Sequence, residues 1–285
     1  MTPNGSPPTT LLTIAGFDPT GGAGIAADLK TFAAHNCYGL AAITALTVQT
    51  TEGVIAVYPT PPAVLEAQLE ALVADAKIAA VKIGMLANRE VARVVAGILE
   101  RWQFPHVVLD PILVSTSGFA LLDEKGVAFL KTELIRHASV IIPNAPEAQT
   151  LTGVEVKNVE GAKEAAKKLF EMGAKAIVIK GGHLEKPVDL VFNGTEFLTF
   201  GSDRVRSENT HGTGCTFASA VAAALAEGKQ LPDAVVLAKA YVTKAIEKGF
   251  AVGKGRGTLN HFFRMQQEPY ARVIEYPAFH HSRNG

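Results

Sequence analysis

"LLTIAGFDPTGGAGIAADLKTFAAHN", residues 11–36, passes from an apolar β-rich run (11–17) through a Gly-rich turn into a segment whose apolar positions Ile25, Leu29 and Phe32 recur at helical spacing. Strand, loop and helix follow one another. Further apolar runs stand at 41–48, 79–86, 106–113, 139–144 and 175–182, and amphipathic patterns such as "NREVARVVAGILERW" (88–102) and "EGAKEAAKKLFEMG" (160–173) separate several of them. Strands apolar on both faces and joined by helices predict a mostly parallel sheet covered on both sides. The fold class is α/β. "DLVFNGTEFLTF" (189–200) predicts a hairpin around Asn193-Gly194. Two helices are expected after it, at about 213–227 and 232–248.

Composition narrows the function. Of 285 residues, 48% are hydrophobic and 19% charged, as in ordinary globular chains. Formal net charge is zero and the pI is about 7.1, so no basic excess points to nucleic acid or an anionic membrane, and small molecules are the expected partners. Cys37 and Cys215 stand far apart without metal-type or disulfide-framework spacing, although a single bridge between them stays open. The opening "MTPNGSPPTT" has no basic leader region, and no apolar run approaches the roughly 18–20 residues that cross a bilayer. A cytoplasmic protein is expected. One domain over residues 11–263 is predicted, between a flexible N-terminus (1–10) and a C-terminal tail (264–285).

In an open parallel sheet, ligands bind where the strands end, so the residues after each run are the candidates. They include Gly16, Asp18, Gln49, Gly84, Met85, Asp110, Asn144, Glu147 and Lys180. "GAGIAA" (22–27) fits a dinucleotide fingerprint poorly, because Asp18-Pro19-Thr20 separate it from the strand and the second strand ends in Gln49 rather than an acid. No G-x-x-x-x-G-K-[ST] phosphate loop is present.

"HGTGC" (211–215) carries more. Two glycines allow close backbone approach, and the first amides of the next helix offer an anion site for a transferring phosphoryl group. In that field the Cys215 thiol is expected to have a lowered pKa and to act as general base; the alternative is a small buried residue packing an Ala-rich helix. "NAPE" (144–147) offers Asn144 and Glu147, and with Asp110 could hold Mg²⁺ near phosphate, while by itself it reads better as a capping box. Lys180 is either a phosphate point charge or a solvated strand-end lysine. The Gln49 amide donates and accepts at once, matching an aminopyrimidine edge, or it faces solvent in a turn. Met85 lies either against a flat ring or in the core.

"AGFDPTGGAGIAADLKTF" (15–32), "KIGML" (82–86), "IIPNAPEA" (141–148), "IKGGH" (179–183) and "NTHGTGCTFASA" (209–220) together resemble the hydroxymethylpyrimidine/phosphomethylpyrimidine kinases of thiamine synthesis, in the ribokinase-like superfamily. The resemblance runs in order from about residue 11 to "GTLNHFF" (257–263). It implies a three-layer α/β/α sandwich with a mostly parallel central sheet, and a homodimer. The implied enzyme uses ATP and Mg²⁺ to phosphorylate 4-amino-5-hydroxymethyl-2-methylpyrimidine and then its monophosphate. Cys215 would be the base, with Gly212, Thr213 and Gly214 completing the anion hole. Gln49 would bind the amino edge, and Gly16, Ala23, Asp28 and Met85 would line the ring pocket. Asn144, Glu147 and Asp110 would organise Mg²⁺ and ATP, with Lys180 on phosphate. Two departures fall where nucleotide phosphates or the second acceptor are expected: many relatives have Thr at Ile142 and Lys at Thr116. Pyridoxal kinase is the nearest alternative, although no lid cysteine stands in Ser115–Gly118. A non-catalytic ligand-binding or regulatory relative is the other, and the joint presence of Cys215, Asn144 and Glu147 weighs against it.

Overall fold

The alternating runs assemble into one nine-stranded sheet. The computed structural model describes residues 7–181, 188–201 and 205–265. The expected tails therefore lie largely outside the described residues, although Thr9 already joins the sheet, its carbonyl accepting from Tyr38 N at 2.8 Å. The strands are β1 (Thr10–Phe17), β2 (Tyr38–Thr50), β3 (Gly53–Pro59), β4 (Ala80–Ile83), β5 (Val107–Leu109), β6 (Val140–Ile141), β7 (Ile177–Ile179), β8 (Val188–Phe192) and β9 (Phe197–Gly201). Their order is β3-β2-β1-β4-β5-β6-β7-β8-β9. From β2 to β7 every pairing is parallel, and the three antiparallel pairings lie at the two edges. β8 and β9 form the predicted hairpin, closed by Asn193 Oδ1 accepting from the amides of Thr195 and Glu196.

The helices are α1 (Gly24–Ala34), α2 (Pro62–Asp75), α3 (Arg89–Arg101), α4 (Glu124–Phe129), α5 (Ala145–Thr152), α6 (Val159–Glu171), α7 (Thr213–Ala226) and α8 (Leu231–Glu247). Alternation along each strand divides the core in two. Leu12, Ile14, Val81, Ile83, Leu109, Ile141 and Ile177 face one way, against Leu69 of α2, Val95 of α3, Leu151 of α5 and Leu169 of α6. Leu11, Ala80, Val108, Val140 and Val178 face the other, against Phe32 of α1, Val221 of α7 and Tyr241 of α8. The period-two pattern thus builds three layers. α7 is buried without interruption from Cys215 to Leu225, which its alanines permit by keeping the helix thin against the sheet.

The central strands are shorter than the apolar runs that contain them. Ladder pairing stops at Ile83, Leu109, Ile141 and Ile179, and the residues that follow turn over the same sheet edge. β2 is longer than predicted and turns back at Thr51–Glu52 into β3, a strand the sequence reading did not anticipate. In this flap Thr47, Gln49 and Val54 border a cavity, whereas Leu46, Val48, Ile55 and Tyr58 are exposed. Among the described residues no helix is long and apolar enough to cross a membrane.

Candidate active site

Two glycine-bearing turns press together to make the floor of the site. Gly212, the N-cap of α7, has φ +83°, and a Cβ there would strike the Gly22 carbonyl. Gly24, at φ +55°, leaves no room for a Cβ beside the Gly16 carbonyl. Only glycine meets both demands. The approach brings the loop after β1 against the start of α7, which has no side-chain cap and no acid in its first turn. By helix geometry the amides of Gly214 and Cys215 have no partner inside α7 and remain available to an anion.

Cys215 borders the cavity and is 7% exposed. Position at a helix N-terminus predicts a lowered thiol pKa; the structure reverses this. Burial pushes the thiol up to about 11, and the nearby carboxylates of Asp28 and Asp110 act in the same direction. Lys82 and a hydrogen bond from the Gly24 amide oppose the rise without cancelling it.

Beside α7, at the ends of β5, β6 and β7, four polar residues meet. Lys180 Nζ donates to Asp110 Oδ1 at 2.8 Å. Burial works against the Lys180 ammonium, yet Asp110 and Glu147 outweigh it and its pKa is raised. Asn144 and Glu147 form a complete capping box for α5: Glu147 N donates to Asn144 Oδ1 at 2.9 Å and Asn144 N to Glu147 Oε2 at 2.7 Å. Both also border the cavity, so capping fixes them there. Burial pushes the Glu147 carboxyl up to about 7, with Lys180 opposing and Asp110 adding to the rise. Asp110 Oδ2 is buried without a hydrogen-bond partner among the described residues. A buried acceptor of this kind suits a cation, and two carboxylates with room for water and phosphate suit Mg²⁺. No cluster of three or more His, Cys, Asp or Glu with metal-site geometry occurs among the described residues. The donor set thus fits a metal shared with phosphate rather than a closed protein site.

At the other end of the cavity stand Gly16, Ala23, Gln49 and Met85. Met85 Sδ lies 2.8 Å from where a Cβ on residue 16 would be, so the bare backbone of Gly16 makes room for it. Met85 packs on Ala45 and Leu121 and also borders the cavity, which joins its two sequence readings. His211, not singled out in the sequence reading, links this end to α7. Its Nε2 lies 2.7 Å from Asp18 Oδ2 and 3.4 Å from Gln49 Nε2. The legible signal was its position, directly before the Gly-Thr-Gly of the helix turn.

Asp28 departs from expectation. Instead of lining the ring pocket it is fully buried, bonded to Lys82 Nζ (3.0 Å), Thr13 Oγ1 (2.6 Å) and Ser219 Oγ (2.7 Å). Ile142 also departs: it lies in the core beneath α7 and α8, so its difference from many relatives does not reach the cavity wall. Thr116 does border the cavity.

Gly212, Thr213, Gly214, Cys215, Asp110, Asn144, Glu147, Lys180, Gly16, Ala23, Gln49 and Met85 all open onto one cavity of about 850 Å³. Val242 and Ile246 of α8 add apolar lining to it, beside Lys239 and Thr243 of the same helix. Phosphomethylpyrimidine kinase is the description of the family whose sequence profile matches residues 18–260. The chain belongs to this family. A hydroxymethylpyrimidine/phosphomethylpyrimidine kinase of Aquifex aeolicus is 44% identical over 246 residues, which cover 86% of this chain and 96% of that protein. Among solved structures, the phosphomethylpyrimidine kinase of Clostridium difficile is 38% identical with a TM-score of 0.76, covering 84% of this chain and 99% of that one. The Bacillus subtilis pyridoxal kinase, solved as an ADP complex, is 35% identical with a TM-score of 0.82, covering 89% and 97%. The family member thus has the ribokinase-like α/β fold of these kinases.

Proposed function

We propose that this protein transfers the terminal phosphoryl group of ATP to the hydroxymethyl oxygen of 4-amino-5-hydroxymethyl-2-methylpyrimidine, and then a second group to the monophosphate so formed. One observation carries the reading: a thiol, an uncapped helix terminus, a carboxylate–ammonium corner and a two-way amide share one cavity. We read residues 11–263 as one catalytic unit. The ring lies between Gly16, Ala23 and Met85 with its edge on Gln49, and the adenosine end of ATP lies toward Val242 and Ile246. The amides of Gly212–Cys215 receive the transferring phosphoryl group, whose charge they stabilise as it moves. Lys180 adds a positive charge at the phosphates. Asp110 and Glu147 would hold Mg²⁺, which when bound neutralises phosphate charge and, at Asp110, one of the charges set against a Cys215 thiolate. That thiolate takes the hydroxymethyl proton as the oxygen attacks phosphorus and ADP departs. Lys82, the Gly24 amide and the α7 terminus favour the anionic sulfur during this step.

A second reading, pyridoxal kinase, is favoured by the likeness to solved pyridoxal kinases. ADP release measured with the aminopyrimidine, its monophosphate and pyridoxal side by side separates the readings. Turnover with the two pyrimidines and little with pyridoxal is expected. Preference for pyridoxal would reverse the assignment, and release with none would make the protein a non-catalytic relative.

A homodimer through the flap is part of the proposal, supported by the exposure of Leu46, Val48, Ile55 and Tyr58 on its two strands. Light scattering should give twice the chain mass, and Tyr58→Arg should halve it. Two free thiols accord with a reducing cytoplasm.

A further inference from the structure

Gln49 sits between two polar neighbours whose hydrogen-bonding capacity is already fixed. On one side, Thr47 Oγ1 lies 3.3 Å from Gln49 Oε1 and 3.0 Å from the Phe17 carbonyl. Thr47 has one hydroxyl hydrogen, and the shorter contact to a carbonyl that cannot donate takes it. Toward Gln49, Thr47 therefore offers lone pairs. On the other side, His211 Nε2 lies 2.7 Å from Asp18 Oδ2 and 3.4 Å from Gln49 Nε2. Asp18 also accepts from Thr20 N (2.8 Å), Thr20 Oγ1 (3.0 Å) and Ala23 N (2.9 Å), a set of donors that only a carboxylate can use fully. Burial raises the Asp18 pKa, but His211 and Thr20 outweigh it and the net shift is downward. His211 Nε2 must then carry the proton, whether the ring is neutral or charged.

With the amide nitrogen toward His211 and its oxygen toward Thr47, donor meets donor and acceptor meets acceptor. A half-turn of the amide, with no other atom moved, lets the nitrogen donate to Thr47 and replaces the opposed N–H groups at His211 by an oxygen beside the Nε2–H, whose one hydrogen stays chiefly with Asp18 at 2.7 Å and is shared with Gln49 only at the longer distance. We propose that His211, held by Asp18, is a positioning residue that fixes the Gln49 amide with oxygen on the His211 side and nitrogen on the Thr47 side, and so sets which way round a ring can bind.

This inference rests on the pyrimidine reading of the pocket. Along the edge of 4-amino-5-hydroxymethyl-2-methylpyrimidine the order is acceptor ring nitrogen, donor amino group, hydroxymethyl. The free N–H of Gln49 meets the ring nitrogen and the second lone pair of its oxygen meets the amino group. The hydroxymethyl then falls beyond the amino group on the His211 side, where the chain runs through Gly212–Gly214 to Cys215. The reverse amide setting aims the hydroxymethyl away from the thiol.

The test is calorimetric titration, without ATP, of the aminopyrimidine and its 4-oxo analogue, whose edge presents donor then acceptor. Wild-type protein should favour the amino ring by about tenfold to a hundredfold, the penalty for a mismatched buried pair. In His211→Leu only the Thr47 contact still orients the amide and the ratio should fall, while His211→Gln, which keeps an N–H donor, should restore it. A ratio unchanged in His211→Leu overturns the assignment. Imidazole ¹⁵N shifts of the ligand-free wild-type protein provide an arm that needs neither ligand nor variant. A protonated Nε2 supports the inference, and a bare Nε2 overturns it whichever ring binds. If neither ring binds wild type while Nε2 is protonated, the pyrimidine reading fails and the choice of ring orientation goes with it.

Discussion

Lys82 Nζ and Asp28 Oδ2 lie 3.0 Å apart, and neither side chain has any solvent exposure. Their charges tie β4 to α1, and Ser219 extends the tie to α7 one turn beyond Cys215. Burial works against the Lys82 ammonium, yet Asp28, with Cys215 and Asp110 adding, more than compensates and its pKa is raised. Removing one partner strands the other. Lys82→Met should cost about 3–5 kcal/mol, and Lys82→Met with Asp28→Leu distinctly less, because the pair leaves together. Urea unfolding compares the two. A double variant as unstable as the single one would contradict the pairing.

Cys215→Ala should lower kcat by about 10²–10⁴-fold, the range for loss of a positioned base, with little change in KM for the pyrimidine. The thiol itself should be sluggish in the ligand-free protein. Alkylation at Cys215, followed by mass spectrometry, is expected to keep accelerating toward pH about 11, where burial has moved its ionisation. Cys37, pushed up to about 12 by burial, should react no faster. A rate that levels off near pH 7 would show that the helix field prevails over desolvation after all.

Gly212→Ala combines an unfavourable φ with a clash against the Gly22 carbonyl. It should cost about 1–3 kcal/mol and a large part of kcat, since the α7 amides shift with it. Gly228→Ala is the control: its φ is also +83°, but nothing lies within 4 Å of the added methyl and it follows the far end of α7. Stability should fall modestly there while kcat holds. Thermal unfolding and steady-state rates on both variants decide the matter.

His261 is 2% exposed, with Thr216 Oγ1 3.0 Å from its Nε2, and burial depresses its pKa to about 4. The unfolded chain, with an ordinary histidine pKa near 6.5, binds the proton first on acidification. Stability from the neutral ring is therefore fully present above about pH 6.5 and is lost as pH falls toward 4, by an amount on the order of 2–3 kcal/mol. His261→Gln should flatten this part of the pH–stability curve, as read by denaturant midpoints between pH 7 and 4.

Local pattern made much of the fold legible. The helices over 89–101 and 159–171 come from periodicity and from the caps Asn88 and Asn158, and that over 231–247 from periodicity with a proline in its first turn. β3 escaped because it is a half-exposed edge strand with no buried run to announce it. The cavity residues were legible because parallel strands deliver their C-terminal neighbours to one edge. Asp28 was misread for the opposite reason: its partner, Lys82, lies on β4, far from α1 in sequence, and nothing near Asp28 in sequence tells a ligand contact from a buried ion pair. Cys215 shows the same division. The helix terminus is written in "HGTGC", but burial and the two distant carboxylates that reverse its pKa are not.

Residues 255–256 clasp the flap turn: Arg256 N donates to the Thr51 carbonyl at 3.2 Å and Gly255 N to Thr51 Oγ1 at 3.0 Å. His211 N donates to the Gly257 carbonyl at 3.1 Å, so the same strap also reaches the turn before α7. During translation the ribosome has made the sheet and both its helical coats before it makes these residues. Assembly of the kinase centre is thus postponed until the strap emerges, directly after α8 ends at Glu247 and together with the core residues Leu259 and His261.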